Sequence, residues 1–216
     1  DERLQGGSTV TSKSELKKSI LRNCLSAFKN HDFNILKSGN VTKKVDNDFL
    51  VWVGLNVAVY DSYIEINPFV GIHCVPIMKL ISELEGEKYS KGRYATFAMH
   101  LGNICPEVNA FHFYEDTEIE SEALRLVETV NEYGVSHISS FASYDSLLPI
   151  LEENIPSFGG FPQRVAVCLL LMGKANSAIE FVERKRCEYQ KNKILSEHFE
   201  RFAIPFIEYV KKQFSV

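Results

Sequence analysis

Three of the six histidines, His73, His100 and His112, fall in β-rich segments where one sheet face would gather their imidazoles. A three-residue turn at Cys105-Pro106-Glu107 pairs positions symmetrically about Pro106 and sets His100 opposite His112. With His73 joining from a neighbouring strand, three nitrogen ligands and an open fourth position would suit a catalytic zinc. No carboxylate stands at a ligand-motif spacing to complete such a site. Three independent half-buried histidines are therefore the favoured reading, and no metal or other cofactor is assigned.

The pair His73-Cys74 offers a thiol beside a base, yet neighbouring residues of a strand point to opposite faces, so adjacency alone does not make a catalytic couple. The common local signatures are missing as well. Gly159-Gly160 follows a helical run and belongs to no Gly-x-Gly-x-x-Gly or P-loop pattern, and Gly-x-Ser-x-Gly, His-Glu-x-x-His and Cys-x-x-Cys do not occur. Arg184-Lys185-Arg186 lies among Glu180, Glu183 and Glu188 at helix-pair spacings, which reads as a salt-bridged face and not as a nucleic-acid patch.

Charge is distributed unevenly. Residues 1–108 hold 13 basic and 12 acidic side chains, whereas residues 109–216 hold 11 and 16, within a net charge of -4. Glu115, Asp116, Glu118, Glu120, Glu122, Glu128 and Glu132 are relieved only by Arg125. Such a strip disfavours nucleic acid and suits a basic partner, while the plain alternative is a solvated helix face with acids near its positive end.

These residues need a scaffold, and the clearest part of it is Phe49 to Val75, where two β-rich runs are separated only by Asp61 and Ser62. So short a polar break leaves room for a hairpin and none for a crossover helix. One parity of Phe49–Tyr60 is wholly apolar; the other carries Leu50, Trp52, Gly54, Asn56, Ala58 and Tyr60. In Tyr63–Val75 the amphipathic parity is Tyr63, Glu65, Asn67, Phe69 and His73, and Pro68 with Gly71 predicts a bulge or bend. The aromatics and amides of these second faces fit a protein-binding surface or, as the favoured expectation, a platform covered by C-terminal helices.

Around this hairpin the pattern predicts a helix over about 13–29 capped by Ser12 and Glu15, and a weak edge strand in 33–45 guarded by Lys43 and Lys44. A helix follows from Pro76 to before Gly86, then a second hairpin from Tyr94–Ile104 and Asn109–Tyr114 around 105–107. A helix beginning at a Thr117/Glu120 capping box would close at Gly134, and further helices are expected at about 144–154, 163–172, 175–190 and 193–213. Ser157-Phe158-Gly159-Gly160 marks the main break. The expected class is α+β: an N-terminal helix, a four- or five-stranded antiparallel sheet and a helical C-terminal half. Residues 1–10, with Gln5-Gly6-Gly7-Ser8, read as a linker or tag-like segment, 11–134 as the sheet domain and 135–216 as helices packed on the sheet in one structural unit.

The chain is 45% hydrophobic and 24% charged, its apolar runs are too short to span a bilayer, and five scattered cysteines suit free thiols in a reducing compartment, so a cytoplasmic protein is expected. The start at Asp1 is compatible with a removed leader.

Ile66-Asn67-Pro68-Phe69-Val70-Gly71, following Val53-Gly54-Leu55-Asn56-Val57, resembles the strand pair of a loose group of uncharacterised bacterial α+β domains similar to toxin-immunity and defence-associated proteins. The resemblance covers about residues 12–85 and brings no catalytic residues. It implies a bacterial cytoplasmic protein whose work is to bind another protein, such as a basic toxin or a subunit of an assembly, with no role for nucleic acid or membrane. On that reading Glu115, Asp116, Glu118, Glu120 and Glu122 carry the electrostatics and Phe113 and Tyr114 supply anchors. An enzyme of unrecognised type lined by His73, His100 and His112, and a structural subunit of a larger assembly, are the alternatives.

Overall fold

The computed structural model describes residues 12–108, 110–155 and 161–214. The linker-like start and the Ser157–Gly160 break lie outside the described residues. Helix α1 (Lys13–Asn30) opens with the capping box read from the sequence: Ser12 Oγ accepts from the Glu15 amide, and the Glu15 carboxylate accepts from the Ser12 amide. Its apolar stripe buries Ile20, Cys24 and Phe28.

Six antiparallel strands follow: β1 (Asn34–Ile35), β2 (Val41–Lys44), β3 (Phe49–Val59), β4 (Ile64–Cys74), β5 (Phe97–His100) and β6 (Phe111–Phe113). The sheet order is β1-β2-β3-β4-β5, with β6 also on β4. β3 and β4 form the expected hairpin. They pair one for one from Phe49↔Cys74 to Val59↔Ile64, and the amide of Tyr60 donates to the carbonyl of Tyr63 across Asp61-Ser62. Short β1 takes the edge position expected of the 33–45 region, and β2 lies inside it.

Two expectations fail here. The second hairpin does not form: β5 and β6 both pair with β4, at Phe69–Ile72 and at Ile64–Ile66, and so lie end to end along one edge. A 3₁₀ turn at Leu101–Asn103 carries the chain away from β5 before Pro106 is reached, while the eleven-residue β4 offers an edge long enough for both short strands. Nor is β4 bulged, because its register with β3 has no offset. Pro68 sits where β6 has ended at Ile66 and β5 has not yet begun at Phe69, so a missing donor at that level breaks no ladder bond on that edge. At Gly71 the sheet uses the absent side chain: a Cβ there would lie 2.3 Å from the Phe97 carbonyl oxygen and 2.7 Å from the Ala98 Cβ.

Helix α2 (Val75–Leu84) continues β4 with Pro76 in its first turn. α3 (Ile119–Thr129) is capped by Glu118, whose carboxylate accepts from the Ser121 amide, and not by Thr117. It does not stop at Gly134 but runs through a π-helical segment (Val130–Val135) into α4 (Ser136–Ser139). Gly134 is needed for packing: a Cβ at this buried position would stand 3.1 Å from Val70 Cγ1. Helices α5 (Tyr144–Asn154), α6 (Pro162–Leu171), α7 (Ala175–Tyr189) and α8 (Lys193–Phe214) match the expected spans.

One apolar core extends from Ile20 to Val210 and takes the inward parity of the sheet, including Val51, Val53, Ile64, Ile66, Val70 and Ile72. Helix α1 packs on α3, and the segments around Gly134 pack on β4. Helices α6 to α8 attach chiefly through α2 and α5 rather than by lying across β3 and β4, which corrects the expected platform. No helix among the described residues is long and apolar enough to cross a membrane. Gly71→Ala is expected to lower unfolding stability by roughly 1–3 kcal/mol through overpacking against rigid backbone, measured by urea denaturation.

Candidate functional site

Because directly paired residues share a face, the register assembles the outer side of the sheet: Trp52, Asn56 and Tyr60 from β3 and its end, and Tyr63, Glu65, Asn67 and Phe69 along β4. Trp52, Asn67 and Phe69 are half-buried and Asn56 is exposed, so this face is left partly open. The Trp52 ring lies over Gly54, where an added Cβ would fall 2.5 Å from the indole.

At the hairpin end the face becomes aromatic. Tyr60 and Tyr63 stack at 4.7 Å, and Tyr63 contacts Tyr114 at 5.4 Å and the His112 ring at 5.1 Å. Tyr60 and Tyr114 are each 45% exposed. His112 Nε2 lies 3.1 Å from a Glu65 carboxylate oxygen. Partial burial first, then Tyr60, Glu65 and Tyr114, raise the Tyr63 phenol above its ordinary value, so it stays protonated at neutral pH and keeps its O–H.

The acidic segment borders this cluster, and its residues do different work. Phe113 is fully buried in the core and cannot be the anchor expected of it; Tyr114, the next residue, is the exposed one. Glu118 is spent on the α3 cap, and Glu122 holds Arg125 at 2.6 Å. Glu115, Asp116 and Glu120 are exposed and, among the described residues, take part in no ion pair.

The three histidines share the outer face but do not meet. They sit at the levels of Glu65, Phe69 and His73 along β4, and four residues of strand span about 13 Å. His100 pairs with Phe69 and not with His112; its ring lies 3.9 Å from the Phe69 ring, and its Nδ1 is 3.2 Å from the Asn67 amide oxygen. No group of three or more possible ligands that could hold a metal ion occurs among the described residues.

His73 is committed elsewhere. It is 1% exposed, and its Nδ1 lies 2.6 Å from the Tyr94 carbonyl, which can only accept. Nδ1 therefore carries the proton, leaving Nε2 to accept from the Gly92 amide at 3.2 Å and from the Tyr89 hydroxyl at 3.0 Å. This neutral imidazole fastens the 89–94 loop to β4 and has no free lone pair for a metal. Burial is the largest influence on it and lowers its pKa from 6.5. Neighbouring Cys74 is buried, and burial pushes its thiol up to about 12, far from a reactive thiolate.

Comparison of the chain with family models, with curated proteins and with solved structures finds no match in any of the three.

With the folded-state pKa of His73 below 6.5, the unfolded chain binds the extra proton first as pH falls through that value, so His73 makes acid destabilising. Wild-type stability should begin to fall as pH drops through about 6.5, by up to about 1.4 kcal/mol per pH unit from this group, until the lower folded-state value is reached. His73→Gln should be less stable at neutral pH by about 1–3 kcal/mol and show a shallower acid dependence, read from urea midpoints across pH.

Proposed function

We propose that the chain is a protein-binding module that receives a basic protein on the hairpin end of its outer sheet face. The observation that carries this reading is the exposed Tyr60–Tyr63–Tyr114 cluster, bordered by Glu115 and Asp116, which no cation of the described residues neutralises. Tyrosine presents a large, stiff, amphipathic contact at low entropic cost, and desolvated aromatic clusters ringed by polar groups are where binding energy concentrates. The carboxylates would steer a cationic partner and raise its association rate.

The immunity-like resemblance of residues 12–85 supports a partner of the basic toxin type, for instance a nuclease whose cationic site the acids would occupy, or else a subunit of a defence assembly. Buried free thiols at Cys24, Cys74, Cys105 and Cys168 support a reducing, cytoplasmic setting. An enzyme built on His73, His100 and His112 has no comparable support, since these residues stand apart.

The test is affinity purification from the native host at low and high salt, followed by association kinetics with the captured partner. Tyr63→Ala with Tyr114→Ala should speed dissociation and cost about 2 kcal/mol or more of affinity. Glu115→Lys with Asp116→Lys should slow association and flatten its salt dependence. A partner whose binding neither pair of substitutions alters would sink the reading.

A further inference from the structure

At the opposite end of the same face a cavity of about 480 Å³ opens between β4, the 85–95 loop and the start of α6. This is within the volume range of small-molecule sites. Its body is apolar, with Trp52, Met78, Ile81 and Phe161 in the wall. Its polar groups converge from distant parts of the chain: Arg164 from α6, His198 from α8, and Glu85 with the loop pinned by His73.

Arg164 is anomalous. Its guanidinium donates to the Thr96 carbonyl at 2.9 Å and lies 4.1 Å from the centre of the Phe161 ring, yet it forms no ion pair among the described residues. Burial pushes its pKa down to about 10, with Glu85 opposing that shift from a distance, so it remains charged at neutral pH. Arg164 is half-buried at the cavity wall, and a partly desolvated cation without a bound counter-charge is suited to an anion supplied by a ligand. Gln163 Oε1 and Trp52 Nε1 have no hydrogen-bond partner among the described residues, but both atoms are sealed from the cavity, so they are not the groups a ligand would meet.

We propose that this cavity binds a small molecule with a mostly apolar, planar body and an oxyanionic group (carboxylate or phosphate) that pairs with Arg164. The fork of the guanidinium, with one N–H already used on Thr96, leaves others for a carboxylate or phosphate, the geometry to which it is best matched. Trp52 and Phe161 give the cavity an aromatic wall for the planar body. The inference is independent of the protein-binding reading, because the site lies at the far end of the face and its test contains no partner.

The test is calorimetric titration of the full chain with 4-hydroxyphenylacetate, phenyl phosphate, 4-hydroxyphenylacetamide and tyramine. At least one of the two anions should bind with a Kd of about 1 mM or tighter, and the neutral amide and the cation at least roughly 10-fold more weakly. Whichever anion binds more tightly identifies the preferred headgroup. Arg164→Gln should abolish the preference for anions. Ser82→Trp, which fills the cavity from α2 and leaves the Arg164 side chain in place, should abolish binding of every probe and decides the matter if Arg164→Gln fails to fold. Failure of both anions to bind the wild-type chain, or equal binding of the amide or tyramine, would overturn the proposal.

Discussion

Backbone pairing along both edges of β4 is the constraint from which the rest of the molecule follows. On one side all eleven residues pair with β3; on the other, β6 takes the first three and β5 the levels from Phe69 to Ile72. The two unpaired levels between them, at Asn67 and Pro68, are where a proline can stand, and the close approach of β5 is where only Gly71 fits. With both edges held, the parity of β4 is fixed over its whole length. Ile64, Ile66, Val70 and Ile72 are committed to the core, and Glu65, Asn67, Phe69 and His73 to the outer face.

That commitment separates two environments on one face. Toward the hairpin, tyrosines of the outer face remain in contact with solvent and close to carboxylates. Toward α2 the chain folds back as the 89–94 loop, held by three hydrogen bonds to a neutral histidine, and walls off a cavity with a cation inside. The first environment suits a large partner that can bury aromatic area; the second suits a small one that can supply charge. Helices α6 to α8 make this division possible by docking on α2 and α5, which leaves the hairpin end of the outer face open.

Much of this was legible in the residues themselves. The Ser12–Glu15 cap, the two-residue turn at Asp61-Ser62 and the apolar spacing of the C-terminal helices are local signals, and local interactions realise them. The second hairpin was not legible, because β5 and β6 have only four and three residues, too few for a period, and their partner is distant β4 rather than each other. Gly134 looked like a helix stop; its actual requirement comes from Val70, more than sixty residues away in sequence. Phe113 and Tyr114 were indistinguishable as anchors until the pairing of Phe113 with Ile64 turned it inward. The cavity gave no signal at all, since Trp52, Glu85, Gln163 and Arg164 are gathered only by the docking of α6 on α2.

The central claim is that the hairpin end of the outer sheet face is uncovered and that its aromatic cluster is available to a partner. Hydroxyl-radical footprinting of the free chain, resolved by residue, tests it directly. The account predicts rapid labelling of Tyr60 and Tyr114, intermediate labelling of Tyr63 and Phe69, and protection of Phe111 and Phe113. Protection of Tyr60, Tyr63 and Tyr114 equal to that of Phe113 would mean that the face is already covered, and would contradict the account.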